Sequence, residues 1–162
     1  MAIRIYTPQN KIIHQVKVDF VRRNIPSVVH LVQGDKTLPV IEIKMTSNNT
    51  KFNVIQELAP TEINIRCMNS DFSGVYTPIL GTDEAGTSLY FEVPSVMTNS
   101  HGRALLVAEV KCGENVTNSS PFYLDIDKNP VWNNIKPSKY GGVIFEPIKT
   151  LSKIVDYEVI TE

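Results

Sequence analysis

Residues 88–112, SLYFEVPSVMTNSHGRALLVAEVKC, contain two strand-like segments separated by a turn. In the first segment Leu89, Phe91 and Val93 alternate with Tyr90 and Glu92, so that one side of the chain is apolar. The second segment, ALLVAEVKC, is longer and equally rich in strand-forming residues. Together they predict two β-strands of a sheet that buries one face.

The turn between these strands carries the side chains that most invite a search for chemistry. Met97 is expected to pack its thioether beneath the turn. Thr98 or Asn99 is expected to cap a single helical turn. Gly102 gives the backbone the freedom to enter the next strand. His101 lies where an imidazole would be exposed, either as a reactive group or as a contact to a neighbouring subunit.

The same period-two pattern recurs on both sides of this stretch, and helical periodicity is nearly absent. The further strand segments are HQVKVDF (14–20), SVVHLVQ (27–33), LPVIEIKM (38–45), EINIRC (62–67) and FYLDID (122–127). Strands spaced by roughly 10 to 15 residues, with no helix long enough for a parallel crossover, predict an all-β fold, an immunoglobulin-like antiparallel β-sandwich. The residues predicted to face its core are Val16, Val18, Ile41, Ile43, Ile63, Ile65, Leu89, Phe91, Leu106, Ala108, Val110, Phe122, Leu124 and Ile126.

The sandwich is expected to span residues 11–128, with an arm at each end. The N-terminal arm, residues 1–10, contains apolar side chains that would be unfavourable in water. After Asn129-Pro130 the alternation stops, and residues 129–162 are too apolar for a flexible linker and too interrupted for a second sandwich. This C-terminal arm is predicted to pack on the sandwich or on a neighbouring subunit. Its candidate contact residues are Trp132, Tyr140, Phe145, Ile148 and Tyr157.

The charge and composition exclude several functional classes. The 162-residue chain has 16 Lys and Arg against 17 Asp and Glu, a net charge of −1, so no overall field favours nucleic acid or an anionic membrane. No run of 18 apolar residues and no signal-peptide pattern occurs, which predicts synthesis and retention in the cytoplasm. The two cysteines, Cys67 and Cys112, lack metal-site spacing and are expected to be reduced.

No arrangement typical of an enzyme or a metal site is apparent. His14 and His30 fall in strands, and Glu109 and Asp125 lie where the alternation directs carboxylates to solvent. The sequence lacks nucleophile-elbow, zinc-protease, phosphate-loop, dinucleotide and EF-hand patterns. The acidic turn at 83–86 is expected to be solvated. The chain is therefore predicted to have no catalytic residues, no metal and no cofactor.

The distribution of basic and aromatic residues bears on two binding functions. Arg22-Arg23 is the only adjacent basic pair and has no interleaved aromatic residues, which argues against nucleic-acid binding. A carbohydrate- or receptor-binding sandwich remains an alternative, because such modules bind through exposed aromatic residues. Its candidates are Tyr76, Tyr90, Trp132 and Tyr140, and it requires a row of them on one sheet face.

The order of segments LPVIEIKM, EINIRCMNSDFSGVYTPIL, SLYFEVPSVMTNSHGRALLVAEV and SPFYLDIDKNP resembles the N-terminal domain of the phage baseplate upper protein family. The resemblance covers residues 11–130 and rests on alternation rather than on reactive residues. It implies an immunoglobulin-like virion structural domain that attaches host-recognition fibres without catalysis. Members of that family continue into a helical linker and further domains, and we expect neither a receptor-binding domain nor a long coiled coil in the roughly 30 residues that follow the stop here. The resemblance therefore does not imply host binding by this chain itself.

We therefore expect a non-enzymatic bacteriophage virion protein, made in the host cytoplasm. Its role would be an adaptor, fibre-attachment or decoration subunit at the baseplate, neck or head. The expected partners are capsid, neck, tail or fibre subunits and further copies of the chain, with a trimer as one option. Neither nucleic acid nor a membrane is an expected partner.

Overall fold

The computed structural model describes residues 3–130, and in them the chain forms two β-sheets packed face to face. The elements, in chain order, are β1 (Ile12–Asp19), β2 (Val28–Val32), β3 (Pro39–Ser47), β4 (Thr50–Lys51), α1 (Val54–Leu58), β5 (Glu62–Met68), β6 (Gly74–Pro78), β7 (Gly81–Thr82), β8 (Ser88–Glu92), a 3₁₀ turn (Ser95–Met97), β9 (Gly102–Cys112), β10 (Asn115–Asn118) and β11 (Phe122–Asp127). The first sheet has the order β1-β3-β8-β7, with β4 paired to β3. The second has the order β2-β11-β9-β5-β6, with β10 paired to β9.

The core lies between the sheets and contains the predicted inward residues. All of the residues expected from the alternation to face the core are buried, and Ile41, Ile43, Leu89, Phe91 and Phe122 are 0% exposed. The Phe91 and Phe122 rings, one from each sheet, lie 6.3 Å apart between their centroids. The all-β sandwich is confirmed, and its strands form because each buries alternate apolar side chains against the other sheet.

Both sheets are mixed, whereas the sequence predicted purely antiparallel pairing. β1 runs parallel to β3, with Ile12 opposite Pro39 and Asp19 opposite Thr46, and β11 runs parallel to β2. The prediction assumed that a parallel pair needs a helical crossover. Here β2, which lies between β1 and β3 in the chain, belongs to the opposite sheet. A strand therefore provides the crossover.

Asp19 joins the end of β1 to the hairpin between β3 and β4. The hairpin turns at Asn48-Asn49, both with positive φ (53° and 64°), as in a type I′ turn. The Asp19 carboxylate is buried and accepts hydrogen bonds from the backbone N–H groups of Val21, Arg22, Asn48 and Asn49 and from the Thr46 hydroxyl. Burial alone would raise the pKa of Asp19, but the hydrogen bonds led by that of Arg22 lower it far below its usual range.

The N-terminal segment lies along β7 at the edge of the first sheet. Ile5 forms a parallel bridge with Thr82, and the Tyr6 N–H donates to the Thr82 carbonyl at 2.9 Å. The Tyr6 ring also lies on Tyr90, with 5.4 Å between centroids. The described part of the predicted N-terminal arm thus extends the chain's own sheet.

Of the predicted C-terminal arm, residues 129–162, the structure describes Asn129 and Pro130. Residues 131–162, and with them Trp132, Tyr140, Phe145, Ile148 and Tyr157, lie outside the described residues. No helix in residues 3–130 is long and apolar enough to cross a membrane.

Candidate interaction surfaces

The turn after β8 is held in place by buried contacts. Met97 is 1% exposed, at the end of the 3₁₀ turn. Thr98 caps this turn at its C-terminal end, whereas the sequence suggested an N-terminal cap: its N–H donates to the Ser95 carbonyl, and its hydroxyl donates to the Asp35 carbonyl. The helical turn therefore precedes Thr98, because Pro94 already supplies an extended N-cap position.

His101 is exposed at the tip of this turn, and Gly102 begins β9 with a φ of 117°. A Cβ atom at Gly102 would lie 2.8 Å from the Ser70 Cβ, so both the φ angle and the space require glycine there. The Ser70 hydroxyl donates to the His101 carbonyl at 2.6 Å. This contact uses the His101 backbone, and among residues 3–130 no hydrogen bond or ion pair to the imidazole is seen.

A neighbouring loop, residues 69–73 between β5 and β6, braces the turn. The Asn69 side-chain amide donates to the Val96 carbonyl at 2.8 Å, and the Ser100 hydroxyl donates to Asp71 at 3.1 Å. Hydrogen bonds from the Ser73 hydroxyl and N–H, and then from Ser100, hold the pKa of Asp71 below its usual range. At the tip Phe72 has a φ of 67° and is 81% exposed, so the braced loop presents an aromatic ring to solvent in a strained backbone conformation.

The outer face of the second sheet carries a continuous line of apolar side chains. Register places Tyr123 between Val28 and Leu105, and Leu105 opposite Met68. We call Val28, Tyr123, Leu105 and Met68 the apolar row; Met68 is 43% exposed and Val28 38%. The outward face of a sandwich sheet is normally polar. An apolar row across four strands is therefore a candidate docking surface.

A pair of opposite charges lies beside the apolar row, on the side nearer the turn. Arg103 binds Asp125 with two hydrogen bonds of 2.7 and 2.9 Å, and its guanidinium lies 4.5 Å from the centre of the Tyr123 ring. The hydrogen bonds from Arg103 lower the pKa of Asp125. Arginine stacked on tyrosine beside aliphatic side chains is a composition enriched at protein interfaces.

On the same face, farther along β9, one sequence prediction was wrong. Glu109 was expected to face solvent but is 9% exposed. Its carboxylate lies between Arg66, at 3.3 Å, and Lys111, at 3.9 Å. The alternation does direct Glu109 outward, but Arg66 on the neighbouring strand β5 and Lys111 on β9 itself lie against its carboxylate. Asp125, expected to be solvated, is half-buried in its pair with Arg103.

The sequence contained a signal for this face that the prediction did not use. In ALLVAEV the outward positions Leu105 and Val107 are as apolar as the inward ones, and in FYLDID the outward position 123 is a tyrosine, whose ring is apolar. Strands that are apolar on both faces are typical of sheets covered on both sides. Counting only the inward positions left this outer face unnoticed.

Two of the four predicted sugar-binding candidates, Tyr76 and Tyr90, lie among the described residues, and they differ in exposure. In residues 3–130 no group of three or more His, Cys, Asp or Glu side chains could hold a metal ion. Tyr76 is 67% exposed, but Tyr90, expected to be an outward sugar-binding candidate, is 8% exposed beneath Tyr6. Burial first, and then the charge of Glu42, raise the pKa of Tyr90.

Both cysteines are free thiols. Cys67 is buried in the core and donates to the Asn69 side-chain oxygen at 3.3 Å. Burial raises the pKa of Cys67 to about 12. It therefore remains an unreactive thiol at neutral pH.

Comparison with known proteins places the fold. No protein-family model matches the sequence, and no curated protein matches it. Among solved structures, the N-terminal domain of phage TP901-1 ORF48 is similar with a TM-score of 0.55 at 10% sequence identity, over 72% of this chain and 98% of that one. That domain is part of a baseplate upper protein. The resemblance to that family is thus supported at the level of the fold: the two chains share a β-sandwich.

Proposed function

We propose that this chain is a non-enzymatic structural protein of a bacteriophage virion, an adaptor, fibre-attachment or decoration subunit at the baseplate, neck or head. The observation that carries the proposal is the fold shared with almost the whole of a phage baseplate protein domain. The exposed apolar row supports a role in assembly, because such a surface is stabilised when another protein covers it.

The proposed occupant of the apolar row is a second copy of this chain. The charges nearest the row are paired within the chain, Arg103 with Asp125 and Arg66 with Glu109, so two copies could meet there without bringing unpaired like charges together. The five strands contain 34 residues in all, which at about 3.3 Å per residue and 4.8 Å between strands give a face on the order of 500 Å². A standard interface takes about 800 Å² from each partner, so residues flanking these strands would complete the contact.

The test of the virion role uses phage particles. Particles purified by density gradient from the phage that encodes the chain are expected to contain it in a fixed ratio to the capsid protein, measured by quantitative mass spectrometry. Immunogold labelling then separates baseplate, neck and head positions. Recovery of the chain only from the soluble fraction of the lysate, with none in the particles, would contradict the proposal.

Loss of the gene provides the second arm of this test. If the chain is an adaptor, particles made without it lack a component that negative-stain microscopy can see, and a plasmid copy restores that component. A decoration subunit would leave morphology intact but reduce particle resistance to heat or chelator. Complete particles of unchanged stability and infectivity would exclude both roles.

A further inference from the structure

The outer face of the first sheet contains two lysines side by side. Lys17 on β1 lies directly opposite Lys44 on β3. Both are exposed, and both point away from the core, because Val16, Val18 and Ile43 occupy the inward positions next to them. Neighbouring strands are about 4.8 Å apart, and like charges directly opposite each other on a sheet are destabilising.

Two further cations extend this pair toward the β3–β4 hairpin. Lys51 lies opposite Thr46, two positions along β3 from Lys44 and on the same face. The Arg22 guanidinium donates to the Asn48 side-chain oxygen in the hairpin turn at 2.5 Å. Lys51 and Arg22 are both exposed. We call Lys17, Lys44, Lys51 and Arg22 the basic corner.

The positive charges of the basic corner are not neutralised by ion pairs with nearby carboxylates. In the part of the chain that the structure describes, none of the four cations has a carboxylate oxygen within 4.0 Å. Asp19 lies beneath the corner but is 1% exposed and its oxygens are occupied by internal donors. Glu42, two positions from Lys44, accepts from the Gln15 side chain at 3.1 Å.

We propose that the basic corner binds an acidic protein surface of a neighbouring virion component. The proposal deepens the proposed function by giving the chemistry of one partner. A second copy of this chain cannot meet the corner through the same surface, because the lysines would face lysines. A carboxylate-rich partner instead relieves the repulsion between Lys17 and Lys44 and supplies the missing counter-charges.

An acidic protein fits the corner better than nucleic acid does. Single-stranded nucleic acid is bound by aromatic side chains on which bases stack. The aromatic residues nearest in the chain to the corner, Phe20 and Phe52, instead pack against each other at 5.6 Å and are half-buried. Lysines without stacking aromatic residues provide point charges only, on a chain whose net charge of −1 gives no long-range attraction to a polyanion.

The test measures binding of the full chain to fluorescently labelled poly-L-glutamate by anisotropy at low salt, with a double-stranded DNA fragment as the competing probe. Wild type is expected to bind poly-L-glutamate, and the affinity should fall as salt approaches physiological strength, where the screening length is about 8 Å. K17E/K44E should weaken binding at least tenfold. The matched control K36E/K128E changes the net charge equally at exposed lysines outside the corner and should stay within twofold of wild type.

Each other outcome overturns the proposal. Equal loss in both double variants would assign binding to net charge, and absence of wild-type binding would remove the corner as a site. Tighter binding of DNA than of poly-L-glutamate would replace the acidic protein by nucleic acid. K17A/K44A, which adds no negative charge, repeats the measurement if K17E/K44E fails to fold by circular dichroism. Because no particles are used, the result is independent of the test of virion incorporation.

Discussion

At the residue scale, the buried Asp19 stabilises the fold most at pH values where its carboxylate is ionised. Its folded-state pKa lies far below the unfolded value of about 3.9. The stabilisation is therefore fully present above pH 4 to 5 and is lost as the pH falls toward the folded-state pKa. We expect D19N to lower the free energy of unfolding at pH 7 by about 2 kcal/mol, because buried N–H donors lose a charged acceptor.

D19N should also make the free energy of unfolding less sensitive to pH in the acid range. Urea unfolding between pH 7 and 3 is expected to show a smaller decrease for D19N than for wild type. The control is D127N, which changes an exposed carboxylate at the end of β11 and should reproduce the wild-type profile. An unchanged acid slope in D19N would show that other carboxylates set the acid stability.

At Phe72, in contrast to Asp19, we expect a substitution to preserve or raise the stability of the fold. Its φ of 67° is unfavourable for a bulky side chain, and its ring is 81% exposed. Glycine relieves the backbone strain, so F72G should match or exceed wild-type stability, by up to about 1 kcal/mol in thermal unfolding. F72A keeps a Cβ atom and should not gain. Strong destabilisation by F72G would mean that the ring packs against something.

At the element scale, the inward residues were predictable and the pairing was not. Period-two alternation identifies the buried side of a strand because each side chain faces either the core or solvent, as Ile63 and Ile65 do. The alternation does not encode which strand lies beside it. The parallel neighbour of β1 is set by a chain path through the opposite sheet. One of the two cations against Glu109, Arg66, lies on a strand far away in sequence.

The contact between the N-terminal segment and β7 can be tested by a substitution at Gly81. At Gly81 in β7 a Cβ atom would collide with the Arg4 carbonyl and would lie 2.9 Å from the Tyr6 Cβ. G81V should therefore displace residues 3–8 from the sheet while the sandwich persists. Hydrogen exchange at the Tyr6 amide, which donates to Thr82, should become faster in this variant.

The control for this substitution lies on another edge strand. Gly74 in β6 has nothing within 4 Å of an added Cβ atom. G74V should leave exchange at Tyr6 unchanged and cost little stability. If G81V keeps slow exchange at Tyr6, the first sheet tolerates a shift of the segment and Gly81 is not required for docking.

At the scale of the whole molecule, the two outer faces differ in a way that sequence composition hides. A net charge of −1 suggests a neutral surface. The structure instead separates an apolar row with paired charges on the second sheet from a basic corner on the first. We propose a copy of the same chain as the partner of the apolar row and an acidic protein as the partner of the basic corner; a protein that binds both could join different components.

The two faces should therefore be separable by mutation. L105E introduces a charge in the middle of the apolar row and is expected to shift sedimentation of the full chain toward the monomer, with poly-L-glutamate binding within about twofold of wild type. K17E/K44E should weaken poly-L-glutamate binding and leave the sedimentation of the full chain unchanged. I25E is the control for L105E, because Ile25 is 95% exposed and lies outside the row.

A wild-type chain that is monomeric at all accessible concentrations would reject self-association through the apolar row. Loss of both properties in L105E would instead indicate that the two faces act as one surface.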